Sequence, residues 1–142
     1  MEQSKQSEEL LFLLKSLGNQ MTQCFERKTD ISLTRYEILQ ILAKKERVLQ
    51  GELQKVLKID QGAVTRHLKI LEEKHYVTRE RNPQNNREVY VQISPAGQAI
   101  IQGCQTNKKA VLEQFYQGIN DAQKAELITV LGIIYQNITT MD

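Results

Sequence analysis

Arg66 and Lys69 carry two positive charges three residues apart, in a stretch where Val64, Leu68 and Leu71 recur at helical spacing. That spacing sets Gly62, Arg66, Lys69 and Glu73 on the face opposite the apolar one, with Thr65 on the flank. An arginine on an outward helix face suits bidentate hydrogen bonding to guanine O6 and N7, which supplies about 1–3 kcal/mol of base discrimination. Gln61 and Thr65 add shorter polar reach to bases or phosphates, and Gly62 and Ala63 let a helix N-terminus come close to a duplex. A second basic group follows, where Arg79, Arg81 and Arg87 bracket the polar turn Asn82-Pro83-Gln84-Asn85-Asn86. Arg87, just past the turn and its Asn85-Asn86 tip, is placed to reach a minor groove. Arg79 and Arg81 alternate with Thr78 and Glu80, so they share a strand face and suit phosphate contacts or support of the hairpin.

The elements that must position these residues are readable around them. Asp60 is a good N-cap for the helix bearing Arg66, because its carboxylate can accept from the free N–H groups of the first turn. Val77–Arg81 and Glu88–Ile93 alternate and are rich in β-branched residues, so they predict an antiparallel hairpin. A short helix over about Gln50–Leu57, with Leu53, Val56 and Leu57 inward, precedes the Lys58-Ile59 turn. Upstream, Thr34-Arg35-Tyr36-Glu37 has capping-box spacing and predicts a helix that buries Ile38, Leu39, Ile41 and Leu42. A polar-faced helix beside a basic hairpin is the outline of a winged helix-turn-helix, which sets its helix in the DNA major groove.

Charge is distributed to match. The chain's 142 residues carry 19 Lys/Arg and 17 Asp/Glu, but Lys44–Arg87 holds 11 of the former against 6 of the latter. The positive excess lies on the segment expected to meet phosphates, where it can release counterions. Apolar residues make up 40% and aromatic ones 6%, with no Trp, so an aliphatic core is expected. No apolar run approaches the ~18 residues needed to span a bilayer, and the polar N-terminus lacks a basic signal start, so a cytoplasmic protein is expected.

The two ends are helical and apolar. Leu10, Leu14, Leu17, Met21 and Phe25 make one stripe, widened by Leu13 and Cys24. Ser94 and Pro95 open a long helix, Gly118-Ile119-Asn120 breaks it, and a last helix carries Leu127, Val130, Leu131, Ile134 and Ile138. A small winged-helix core does not need three further amphipathic helices. A second copy of the chain would cover them, and a symmetric dimer would match palindromic DNA. A monomeric six-helix bundle with every stripe internal is the alternative. The expected organisation is therefore an N-terminal dimerisation helix over 1–32, a winged helix-turn-helix lobe over 33–97 and C-terminal dimerisation helices over 98–142. The class is mainly α with one small β-hairpin.

This order of elements resembles the multiple-antibiotic-resistance repressor (MarR) family over nearly the whole chain. The family typically shows Asp-Pro-x-Asp-x-Arg, an alternating strand, then Leu-Thr-x-x-Gly. Here Asn82-Pro83-Gln84-Asn85-Asn86-Arg87, Val89–Ile93 and Ser94-Pro95-Ala96-Gly97 stand in those places. Leu71-Glu72-Glu73-Lys74-His75-Tyr76-Val77-Thr78-Arg79 is similar to the family's Leu-Glu-x-x-Gly-Leu-Val-x-Arg. His75 replaces a helix-ending Gly, and Asn85 replaces the wing Asp that can pair with the wing arginine. The resemblance implies a homodimeric transcription regulator, a repressor by family habit, that responds to a small molecule or an oxidant. In the family the effector pocket lies between the DNA-binding lobe and the dimer helices, where Arg35 and Tyr36 would meet an anionic aromatic ligand.

Other chemistry has less behind it. Some family members sense oxidants through a cysteine, which makes Cys24, and after it Cys104, the thiols for a redox-sensing alternative; a Cys on an apolar stripe is more often a small hydrophobe. The two cysteines are too far apart in sequence for a zinc motif, and His67 and His75 lack partners at metal-ligand spacing, so neither a metal nor another cofactor is expected. No nucleophile, base or paired-carboxylate arrangement points to an enzyme. A helical adaptor whose hairpin binds a protein partner is the reading from a different class, and steep salt dependence of binding to random duplex would oppose it.

Overall fold

The computed structural model describes residues 1–141, save for the side chains at 104–106. In chain order the elements are α1 (Glu2–Thr29), α2 (Leu33–Ala43), β1 (Val48–Leu49), α3 (Gln50–Leu57), α4 (Gln61–Glu73), β2 (Val77–Asn82), β3 (Asn85–Ile93), α5 (Pro95–Phe115) and α6 (Asp121–Thr139). The chain divides into two compact units, Met1–Lys109 and the remainder from Ala110.

The first unit is built on Ile38, Leu39, Leu42, Leu53, Val64, Leu68 and Val91, all fully buried, with Leu71, Val77, Val48 and Phe25 closing around them. The periodic residues of α2 and α4 supply most of this core, and β3 contributes alternate positions. Local chemistry sets the joints. Ser32, in an extended conformation, accepts from the Arg35 N–H at 3.3 Å, and Glu26 of α1 accepts from the Leu33 N–H at 3.0 Å. The cap of α2 is thus Ser32, not the Thr34 expected from capping-box spacing; Thr34 falls within the first turn. Lys58 and His75 both adopt left-handed conformations, at φ 57° and 63°. Lys58 turns α3 into α4, and His75 ends α4 as the family's Gly would.

Three differences from the sequence expectation have simple causes. The sheet has three strands in the order β1-β3-β2, because Val48 and Leu49 pair with Val91 and Tyr90. Two residues are too few to show alternation, so β1 was invisible in the sequence. The hairpin is tighter than a five-residue turn: Asn82 pairs with Asn85, with an irregularity between Arg81 and Asn82. Val56, expected inward, is 57% exposed, because 100° per residue carries it to the far flank of Leu53 from Leu57.

The α4–β2 corner is tied to the start of α5. Ser94 donates from its hydroxyl to the His75 carbonyl at 2.6 Å, and its backbone N–H donates to the Tyr76 carbonyl at 2.9 Å. Gly97 is buried against this corner, and a Cβ there would collide with the Tyr76 carbonyl oxygen and stand 2.7 Å from Ile93 Cγ1. Gly97→Ala should therefore destabilise the fold by about 1–3 kcal/mol, the usual penalty of overpacking. Gly51, with nothing within 4 Å of its would-be Cβ, should accept Ala at no loss. Urea midpoints at one protein concentration compare the two, and an unshifted midpoint for Gly97→Ala would refute the close approach.

Candidate nucleic-acid interface

α4 begins at Asp60, whose Oδ1 accepts from the Ala63 N–H at 2.7 Å. Val64, Leu68 and Leu71 hold the helix to the core. Gln61, Gly62, Thr65, Arg66 and Lys69 are exposed, while Ala63 is half-buried. Gly62 matters for Arg66: a Cβ would sit 3.3 Å from Arg66 Nη1 and 3.2 Å from Asp60 Oδ1. The missing Cβ leaves room for the guanidinium to lie back along the helix N-terminus. Thr65 donates from its hydroxyl to the Gln61 carbonyl at 3.0 Å and accepts from Gln50 Nε2 of α3 at 3.1 Å.

The hairpin stands beside this face. Arg79 and Arg81 pair with Val91 and Val89, so both lie on the sheet face that holds the buried Val91. With Arg87, Lys55, Gln50, Gln61 and Thr65 they line a groove of about 480 Å³ between α3, α4 and the hairpin. Their tasks differ. Arg79 is half-buried and donates to Glu72 of α4 at 2.9 Å, which fixes the hairpin to that helix. Arg81 donates to the Asn86 carbonyl at 2.8 Å and so braces the tip. Asn85 Oδ1 accepts from the Arg87 backbone N–H at 3.1 Å; it orders the turn rather than the guanidinium. Arg66, Lys69 and Arg87 make no ion pair among the described residues, which leaves three exposed cations, two on α4 and one on the hairpin.

Two contacts had no sequence signal, because their partners are far apart in the chain. Arg47, at the foot of β1, stacks 4.0 Å from the Tyr90 ring centre on the hairpin's other face. Arg35 donates from Nη1 to His67 Nδ1 at 3.3 Å and so joins the start of α2 to α4. Tyr36 is a core residue: its ring lies 5.5 Å from Phe25, its hydroxyl accepts from Gln40 at 2.7 Å, and the Lys108 ammonium stands 5.5 Å over the ring. Cys24 is half-buried on α1 with a free thiol, and the Cys104 side chain lies outside the described residues.

Burial lowers the His67 pKa from its usual value near 6.5, and the Arg35 and Arg66 charges lower it further against a weaker opposing pull from Glu26. A depressed pKa means that the folded lobe favours neutral imidazole, which is also the form that accepts from Arg35. The stability so gained is complete above pH 6.5 and is lost as the pH falls through the folded-state pKa. His67→Asn keeps an acceptor near the Nδ1 position and cannot titrate. Its unfolding midpoint should hold steadier between pH 7 and 5 than the wild type's, and parallel curves would contradict the assignment.

Residues 31–89, which hold α2 through most of the hairpin, match the family model described as MarR family. The HTH-type transcriptional regulator YdgJ of Bacillus subtilis is 33% identical over 134 residues, covering 94% of this chain and 82% of the relative. The chain belongs to the MarR family. It is a DNA-binding transcription regulator with the winged-helix fold of that family. Among solved structures, a mutant MarR from E. coli complexed with operator DNA superposes with TM-score 0.81 at 25% identity, over 89% of this chain and 93% of that one. BpsR of Bordetella bronchiseptica, whose DNA binding is regulated by 6-hydroxynicotinic acid, matches in fold with TM-score 0.81 at 17% identity, over 89% and 98% of the two chains. Among the described residues no helix is long and apolar enough to cross a membrane.

Proposed function

We propose that this MarR-family protein is a cytoplasmic homodimeric repressor that sets one α4 per copy into successive major grooves of a palindromic operator. The observation that carries this reading is the outer face of α4: Gln61, Gly62, Thr65, Arg66 and Lys69 are all exposed, and Gln61 and Thr65 share a groove with the exposed Arg87 of the hairpin. Arg66 is assigned to a base edge, with Gln61, Ala63 and Lys69 to bases or phosphates around it. Arg81, Asn85, Asn86 and Arg87 belong to the wing that follows the backbone or the minor groove, and Arg79 holds that wing in place.

The dimer is assigned to α1, α5 and α6. Leu10, Leu14 and Leu17 of α1 and Leu127 and Leu131 of α6 are 37–56% exposed in the single chain, and Ile134 is half-buried. Leu10, Leu11, Phe12, Leu13 and Leu14 are consecutive and all exposed, so they point to every side of α1. Such a helix needs cover all round, which a second copy supplies. The effector is assigned to the class of small anionic or aromatic acids, with Arg35 as its guanidinium partner. The Arg35–His67 contact supports this, since a carboxylate that drew Arg35 away would release a restraint on α4.

Selection of duplexes from a random pool tests the whole reading. Enrichment of an inverted repeat with half-sites about one helical turn apart, roughly 34 Å, is the expected result. A single unrepeated motif, or none, would reject the palindromic dimer.

A further inference from the structure

We propose that Thr65 reads a thymine in each half-site through its methyl group, and not through its hydroxyl. The proposal rests on the assignment of α4 to the major groove and specifies what one of its exposed residues recognises there. A threonine hydroxyl has one proton and two lone pairs. In Thr65 the proton goes to the Gln61 carbonyl at 3.0 Å, and one lone pair takes the Gln50 Nε2–H at 3.1 Å. The hydroxyl therefore has no proton to offer the acceptor edges of guanine, adenine or thymine. To donate to a base it would have to leave Gln61, reopening a hydrogen bond that the recognition helix already satisfies.

Gln50 reinforces this choice. It is the first residue of α3, and its own Oε1 is buried with no hydrogen-bond partner among the described residues. Its amide is thus wedged between α3 and α4, and its hydrogen bond holds Thr65 on the groove side of the helix. What remains uncommitted on the exposed Thr65 side chain is Cγ2 and a single lone pair. The thymine C5-methyl is the one apolar group on the major-groove floor, and a threonine methyl is a known complement to it.

The test uses the full-length protein and its selected operator, with each half-site thymine replaced in turn by uracil. That exchange removes the C5-methyl and leaves every hydrogen-bonding group in place. At one thymine per half-site the wild type should lose about fourfold in affinity, and about fifteenfold when both symmetric positions are changed, as burial of one methyl group per site implies. Thr65→Val keeps the methyl and should keep the thymine-to-uracil ratio, whatever its absolute affinity. Thr65→Ser keeps the hydroxyl and should bring the ratio to one. A wild type indifferent to uracil at every position, a Ser variant that keeps the preference, or a Val variant that loses it would each overturn the methyl contact while leaving the operator-binding reading intact. Failure to select any operator would overturn both.

Discussion

Leu131→Glu is expected to abolish dimerisation at micromolar concentration and, with it, tight operator binding. Leu131 is 37% exposed in the single chain and sits between Leu127 and Tyr135 on α6, itself exposed at Leu127, Ile128, Val130, Ile133 and Tyr135. At 100° per residue these side chains cover roughly two thirds of the helix circumference. Thr129, Gly132 and Gln136 are left as a narrow stripe without apolar bulk. A carboxylate at Leu131 forfeits about 1.5–3 kcal/mol of apolar burial per copy and adds a charge that must be desolvated. Two-fold symmetry counts both twice, so the dimer should weaken by at least about 3 kcal/mol, more than a hundredfold. Sedimentation should show a ~16 kDa species, and operator affinity should fall toward that of one half-site. Gln136→Glu places the same charge on the stripe and should leave both measurements unchanged. A Leu131→Glu protein that stays dimeric would remove α6 from the interface.

The parts of this molecule that were legible in the sequence are those with a period. Val64, Leu68 and Leu71 announced α4 and its outward face; alternation around Val89 and Val91 announced the hairpin. Caps were legible where a single residue type was decisive, as at Asp60 and at Ser94, whose hydroxyl accepts from the Gly97 N–H at 3.1 Å. At α2 the capping-box spacing pointed to Thr34, but the cap is Ser32, because backbone conformation and not spacing sets where the helix begins. The site was legible as a set of exposed cations, with Arg87 set apart from Arg79 and Arg81 by its place after the turn, but the partners of the two strand arginines were not. Arg79 and Arg81 look alike in sequence, yet one is held by Glu72 and the other braces the Asn86 carbonyl. The contacts that link elements were illegible for a different reason. Arg35 and His67, or Gln50 and Thr65, meet only because the core brings α2 and α3 against α4, and no local rule registers that.

Arg66→Ala should produce the largest loss of any single substitution on the DNA-facing side. Arg66 is exposed, makes no ion pair among the described residues and is flanked by a glycine that leaves its guanidinium room to move. Its removal leaves no cavity, so stability should be unchanged and the loss should lie in recognition alone. A bidentate arginine–guanine pair contributes about 1–3 kcal/mol of discrimination, and a symmetric operator engages two, so specific affinity should fall by about 2–6 kcal/mol. Random duplex should lose far less, since only one cation's share of counterion release disappears per copy. Preference at one base pair in each half-site should relax as well. Arg66→Lys separates fork from charge: it should restore random binding and only part of the specific affinity, because a lysine ammonium cannot present two fixed donors. Equal losses on operator and random DNA would make Arg66 a phosphate contact, and the base-reading role on this helix would pass to Gln61, Thr65 and Lys69.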